Sequence, residues 1–192
     1  KKNNKYLKMN ILLINPPDDN LIDCYAYQNG EVGIDSPDFG KFPSLGLLYI
    51  LGYLEKYAPE YNLFIIDCVA EKITYEELKS RISEICPDLV GITSFSIALI
   101  DIIKTAALVR ELCPKAHVCM GGHHPMAFPV ESLRLKDFDS IIIGDGEKPF
   151  YELAKALESN MPLTDISGLY TKETILKYIS EGGLAKKEDS RF

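Results

Sequence analysis

The sequence predicts an α/β protein, a doubly wound parallel sheet of five strands with helices on both faces, and three observations predict it. Five short apolar runs recur along the 192 residues without the alternation of a half-exposed strand, as strands buried on both faces do. Strand and helix alternate five times along the chain, and such alternation closes into a parallel sheet through right-handed crossovers. Prolines, glycines and helix-capping residues punctuate the run ends, so the element boundaries are marked.

The first strand is Met9 to Asn15, stopped by Pro16 and Pro17, which cannot donate to a ladder. Residues 18–43 then form a long loop rich in Asp, Gly, Tyr and Pro, and loops of that length inside compact domains are functional or disordered. Ser44 is placed to cap an apolar helix from Leu45 to Tyr57, ended by Pro59, with Gly46 and Gly52 suited to close packing on a neighbour. Asn62 to Cys68 is the second strand. Thr74 and Glu77 have capping-box spacing at the start of a helix from Tyr75 to Cys86. Leu89 to Thr93 is the third strand. A helix from about Ile97 to Cys113 follows, with Leu99, Ile102, Ile103, Ala106 and Val109 on one face. Ala116 to Met120 is the fourth strand, ending at Gly121-Gly122 and a histidine-bearing turn closed by Pro125 and Pro129. Ser140 to Ile143 is the fifth, and Gly144-Asp145-Gly146-Glu147 leads into a helix carrying Phe150, Leu153, Ala154 and Leu157. The flavodoxin-like, Rossmann-like order 2-1-3-4-5 is the natural arrangement, with its switch point between the first and third strands.

The end of the chain reads differently. Residues 166–170 and 175–179 are expected to form a short hairpin around Lys172-Glu173, with no further core element. The core domain is therefore set at residues 9–160, and residues 161–192 are a short extension, expected to connect toward a domain not contained in this sequence.

A formal charge of −7 argues against a non-specific nucleic-acid binder, which needs a basic face. No run of eighteen apolar residues offers a membrane span, and the run after the first lysines is too short for a signal-peptide core, so a cytoplasmic protein is expected. Cys24, Cys68, Cys86, Cys113 and Cys119 are scattered, none in a C-x₂-C pair, and read as reduced, largely buried thiols rather than metal ligands.

Ligands of open parallel sheets sit beyond the carboxyl ends of the strands. Here those ends carry Asn15-Pro16-Pro17, Asp67, Thr93-Ser94-Phe95-Ser96, Gly121-Gly122-His123-His124 and Gly144-Asp145-Gly146-Glu147. Hydroxyls, small residues and helix starts suit a large, partly polar ligand. Ser94 and Ser96 read equally as helix caps, and paired glycines can be no more than a tight turn. The acidic and lysine positions of a phosphoryl-accepting receiver are absent, as are G-x₄-G-K-[ST], G-x-G-x-x-G and any nucleophile motif. No catalytic residue is assigned.

Phe42-Pro43-Ser44-Leu45-Gly46-Leu47, Gly91-Ile92-Thr93-Ser94, Gly121-Gly122-His123-His124-Pro125 and Gly144-Asp145-Gly146-Glu147, in this order and spacing, resemble the cobalamin-binding domain at the N-terminus of cobalamin-dependent radical S-adenosylmethionine enzymes. The resemblance covers roughly residues 9–170. It implies a domain that holds cobalamin with its dimethylbenzimidazole tail threaded into the sheet. It implies cofactor contacts at Asn15, Pro16, Thr93, Ser94, Phe95, Ser96, Gly121, Gly122, His123, His124, Gly144, Asp145, Gly146 and Glu147. Thr93, Ser94 and Phe95 would flank the tail, Gly121 and Gly122 would clear space for it, and His124, matching G-G-x-H-P, would shape the loop.

Two departures from relatives of that kind matter. The D-x-H-x-x-G of mutases and methionine synthases, whose histidine ligates cobalt, is replaced by Asn15-Pro16-Pro17-Asp18, and the first histidine is His117. No protein ligand to the metal is therefore expected. The C-x₃-C-x₂-C of a [4Fe–4S] cluster is also absent. The resemblance thus implies that cluster, S-adenosylmethionine and any methyltransferase chemistry belong to a further radical S-adenosylmethionine domain of the same chain. The alternative is a non-catalytic flavodoxin-like module for another ligand or a protein partner.

Overall fold

The computed structural model describes residues 8–20 and 43–180. The loop expected at 18–43 therefore lies largely outside the described residues. Six strands form one sheet in the order β2-β1-β3-β4-β5-β6. These are β1 (Asn10–Asn15), β2 (Asn62–Asp67), β3 (Leu89–Ser94), β4 (His117–Gly122), β5 (Ser140–Ile142) and β6 (Leu169–Thr171). The first five are parallel in the expected order, and β6 adds antiparallel to the free edge of β5.

The strands read as unbroken apolar runs because each face has its own core. Along β1, Leu12 and Ile14 pack with α3 (Tyr75–Ile85) and α4 (Leu99–Leu112). Ile11 and Leu13 pack on the other face with α1 (Leu45–Tyr57) and α7 (Glu147–Ser159). All four β1 residues are essentially inaccessible, and at roughly 25 cal/mol per Å² such burial is the main stabilising term of the domain. Short helices α2 (Cys68–Glu71), α5 (His123–Ala127) and α6 (Pro129–Arg134) fill the connections.

Local chemistry fixes several boundaries. Thr74 and Glu77 form the complete capping box that opens α3, worth about 1 kcal/mol or more at such an end. Cys86 closes α3 in the left-handed conformation. Asp67 caps α2 by accepting from the Ala70 amide and also accepts from Asn15 Nδ2, joining the exits of β1 and β2. Asp101, fully buried, accepts from Tyr75 Oη at 2.5 Å and from the amide and Nδ2 of Asn20, both at 2.7 Å. Burial and this carboxylate push the Tyr75 phenol far above its ordinary range.

Several expectations change. Ser44 stands at the N-cap of α1 but its hydroxyl makes no cap bond. Gly46 and Gly52 do not accommodate a neighbour, because nothing lies within 4 Å of a Cβ built on either. On α4, Ile102, Ala106 and Val109 are buried, but Ile103 is exposed and Asp101 and Thr105 take the inner face instead. Cys68, Cys113 and Cys119 are buried free thiols, whereas Cys86 is exposed.

The expected C-terminal hairpin is replaced by β6 and α8 (Thr174–Ser180). Thr171 Oγ1 accepts from the Thr174 amide while Thr174 Oγ1 accepts from the Thr171 amide, a reciprocal start to a helix. Leu169 and Ile175 are both buried in the core, so the segment after residue 160 does contribute core elements.

Candidate functional site

A cavity of about 350 Å³ opens at the carboxyl ends of the central strands, between the sheet and the α1–α7 layer. Strand register explains its walls. Leu13, Gly91 and Cys119 lie side by side across β1, β3 and β4, and Thr93 pairs with Gly121 one step nearer the exit. Alternation along a strand puts Gly91, Thr93, Cys119 and Gly121 on one face, the face covered by α1 and α7. The side chains of Leu47 and Ile50 from α1 and Phe150 from α7 close it from above.

Three of the six glycines lining the site, Gly91, Gly121 and Gly122, do different work. Gly121 faces open space, with no atom within 4 Å of where a Cβ would stand. Gly122 has φ +96°, and a Cβ there would meet Ser94 O at 2.7 Å and Ser94 N at 2.8 Å. Its lack of a side chain serves backbone conformation and the approach of β3. Gly91 makes room for protein rather than ligand: a Cβ there would stand 2.8 Å from both Leu13 Cδ2 and Phe150 Cε2. Both glycines at 121 and 122 belong to β4, so the strand runs two residues beyond the expected Met120.

The cavity is graded in polarity. Leu13, Leu47, Cys119, Ile142 and Phe150 are all buried at the inner part. Burial pushes the Cys119 thiol up to about 12, so it stays protonated. Thr93, Asp145 and Glu147 are more accessible and stand among its walls, with exposed Tyr49 of α1. Among the described residues, neither lysine, arginine nor histidine lines it.

The residues expected to contact a cofactor fall into two groups. Thr93, Gly121, Gly122, Gly144, Asp145, Gly146 and Glu147 line the cavity. Asn15, Pro16, Ser94, Phe95, Ser96, His123 and His124 do not. Asn15 is engaged by Asp67. Ser94 is neither a cap nor a wall: fully buried on the opposite face, its hydroxyl donates to Gly121 O at 2.6 Å and ties β3 to β4. Phe95 stacks on His123 with ring centroids 4.8 Å apart. Ser96 Oγ and His124 Nδ1 share a hydrogen bond of 2.9 Å, and the His124 ring packs on Phe128. Burial lowers the His124 imidazole below its ordinary 6.5, keeping it neutral. These side chains build the outer rim on the α4–α5 side.

The wall residues not singled out as site residues are Leu13, Leu47, Tyr49, Ile50, Gly91, Cys119, Ile142 and Phe150, with Gly46 and Ile92. Gly91 inside an apolar strand was the available signal, since a strand glycine marks close approach. Among the described residues, no group of three or more His, Cys, Asp or Glu could hold a metal ion. No helix among them is long and apolar enough to cross a membrane.

Comparison with known proteins agrees with this geometry. A family model for the B12 binding domain matches residues 38–154. An uncharacterized methyltransferase, PH0819, of Pyrococcus horikoshii is 31% identical over 166 residues, covering 86% of this chain and 33% of the relative. An anaerobic magnesium-protoporphyrin IX monomethyl ester cyclase of Rubrivivax gelatinosus is 24% identical over 127 residues, 66% of this chain and 23% of that protein. In fold, the chain is similar to the radical S-adenosylmethionine methyltransferase TsrM from Kitasatospora setae, solved with cobalamin and a [4Fe–4S] cluster bound. The TM-score is 0.67 at 19% identity, over 86% of this chain and 29% of TsrM. The cobalamin-dependent S-adenosylmethionine radical enzyme OxsB gives 0.63 at 16% identity, over 84% and 20%. The chain thus spans about a third or less of the length of the proteins it matches.

Proposed function

The chain belongs to the B12-binding domain family, and on that premise we propose that the cavity between the sheet and α1–α7 receives the nucleotide tail of a corrinoid. The observation that carries this is the open space at Gly121 inside an apolar cavity. A volume of about 350 Å³ sits near the lower end of the ~300–1,000 Å³ of small-molecule sites. That suits a flat base and its ribose, while the corrin ring itself remains outside, at the strand exits.

The donor set fits such a tail. Apolar walls take the faces of an aromatic base, and Thr93, Asp145 and Glu147 offer acceptors to ribose hydroxyls or side-chain amides. When bound, the corrinoid supplies a cobalt centre able to carry a methyl group. The residues of this chain hold and orient that cofactor. With His124 engaged by Ser96 and His123 stacked on Phe95, we expect no imidazole on the metal.

We further read residues 9–160 as the cofactor-holding domain of a longer cobalamin-dependent radical S-adenosylmethionine enzyme, a methyltransferase, with residues 161–192 leading toward its catalytic domain. That the match spans only 33% of PH0819 and 29% of TsrM supports this. The [4Fe–4S] cluster and S-adenosylmethionine would belong to that other domain. Free, buried thiols at Cys68, Cys113 and Cys119 suit a reducing compartment, and we place the protein in the cytoplasm.

The test is retention. The chain is incubated with hydroxocobalamin or with flavin mononucleotide, desalted, and its visible spectrum recorded. A corrinoid spectrum at one cofactor per chain, with no retained flavin, supports the proposal. A colourless protein after hydroxocobalamin, or preferential retention of the flavin, refutes it.

A further inference from the structure

We propose that the inner end of the cavity selects among corrinoids by their lower base, admitting dimethylbenzimidazole and disfavouring a purine. This rests on the corrinoid reading above and asks what the base would meet once inside. The side chains there are those of Leu13, Leu47, Ile142 and Phe150, carbon only, and of Cys119, all on the α1–α7 face of the sheet. The Cys119 thiol is fully buried and directed to Met120 O at 3.9 Å, so it is already engaged.

The backbone is equally closed. Gly91 lies between Leu13 of β1 and Cys119 of β4, so its strand has hydrogen-bonded partners on both sides. Gly121 O accepts from Ser94 Oγ. The polar groups lining the site, those of Thr93, Asp145 and Glu147, belong to its more accessible residues. Phe150 also sets the depth, because its ring occupies the space that the missing Cβ of Gly91 leaves.

An adenine base differs from dimethylbenzimidazole in carrying two further ring nitrogens and an exocyclic amine where the other has carbons and methyl groups. At the inner end those groups would lose water and find no partner among the described residues, a loss that polar groups buried in apolar surroundings incur. A hydrophobic pocket rejects an added polar group only moderately, so the expected discrimination is roughly 10- to 100-fold.

The experiment compares three probes on the 192-residue wild-type chain by equilibrium dialysis: hydroxocobalamin, its adenine-based counterpart, and cobinamide, which lacks the nucleotide tail. The expected order is cobalamin tightest, with the adenine form at least about 10-fold weaker and cobinamide also weaker than cobalamin. Equal affinity of cobalamin and the adenine form, both tighter than cobinamide, overturns the selection while leaving the tail in its cavity. Equal affinity of all three removes the tail from the cavity, and retention of none refutes corrinoid binding itself. A second reading comes from Leu47→Gln, which offers a hydrogen-bonding amide to the wall. A folded Leu47→Gln chain should narrow the ratio between the two bases, and an unchanged ratio overturns the assignment. Should that variant not fold, the three-probe comparison on the wild type decides alone.

Discussion

Replacing Gly121 with leucine should abolish corrinoid retention and leave the sheet folded. Nothing lies within 4 Å of a Cβ at Gly121, so the new side chain starts from open space within the cavity. Leucine adds four carbon atoms, and if each takes about a water's share of volume, roughly 30 Å³, the loss is about 120 Å³. The cavity of about 350 Å³ would fall to about 230 Å³, below the ~300 Å³ that small-molecule sites need. The neighbouring glycine is the control. Gly122→Ala puts a methyl group 2.7 Å from Ser94 O at φ +96°, a strained conformation costing about 1–3 kcal/mol before the overlap is counted. That corresponds to a fall in Tm of roughly 2–12 °C for a domain of this size. The assay is paired: thermal melting by circular dichroism, and absorbance of retained corrinoid after desalting. Gly121→Leu should melt like the wild type and emerge colourless, whereas Gly122→Ala should melt earlier. Full retention by Gly121→Leu would refute the placement of the tail. An unchanged Tm for Gly122→Ala would refute the account of why β4 ends in a glycine.

The other predictions concern the inner wall and the rim. Gly91→Ala drives a methyl group into Leu13 and Phe150 in a closed core, and should lower stability by roughly 1–3 kcal/mol; an undiminished urea midpoint would show that Phe150 can move aside. His124 is held neutral by burial, so the unfolded chain binds more protons between its lowered pKa and the ordinary 6.5. Stability from this group is complete above 6.5 and lost as pH falls through the lowered value. Burial lowers His117 in the same direction. Melting temperatures between pH 7.5 and 5 should therefore fall for the wild type and fall less steeply for His124→Gln, and parallel slopes would contradict this.

Much of the fold was legible because β1, β3 and β4 are buried on both faces and carry unbroken apolar runs, and because Thr74, Glu77 and the prolines mark helix ends. β6 was not legible. Three residues, Leu169 to Thr171, pair antiparallel on an edge, and no periodicity distinguishes so short an element. The segment after it, rich in Ile and Tyr, reads as a strand by propensity, but the Thr171–Thr174 exchange starts a helix there. At the site, glycines and hydroxyls at strand exits pointed to the end of the sheet where the cavity opens. The face on which each residue stands required the register. Ser94 and Thr93 are adjacent in sequence, yet one ties strands together on the α4 side and the other lines the cavity. Phe150, noted in the sequence only as one of four residues carried by its helix, is both core and the inner wall.

The most direct test of the central claim is electron paramagnetic resonance of the cob(II)alamin form bound to uniformly ¹⁵N-labelled protein. If the tail lies in the cavity and neither His123 nor His124 reaches the metal, no nitrogen occupies the lower axial position, and the cobalt lines should carry no nitrogen splitting. A threefold splitting would mean that the cofactor's own unlabelled base remains on cobalt and the cavity is empty of it. A twofold splitting would mean that a labelled protein nitrogen is the ligand. Either pattern would contradict the account.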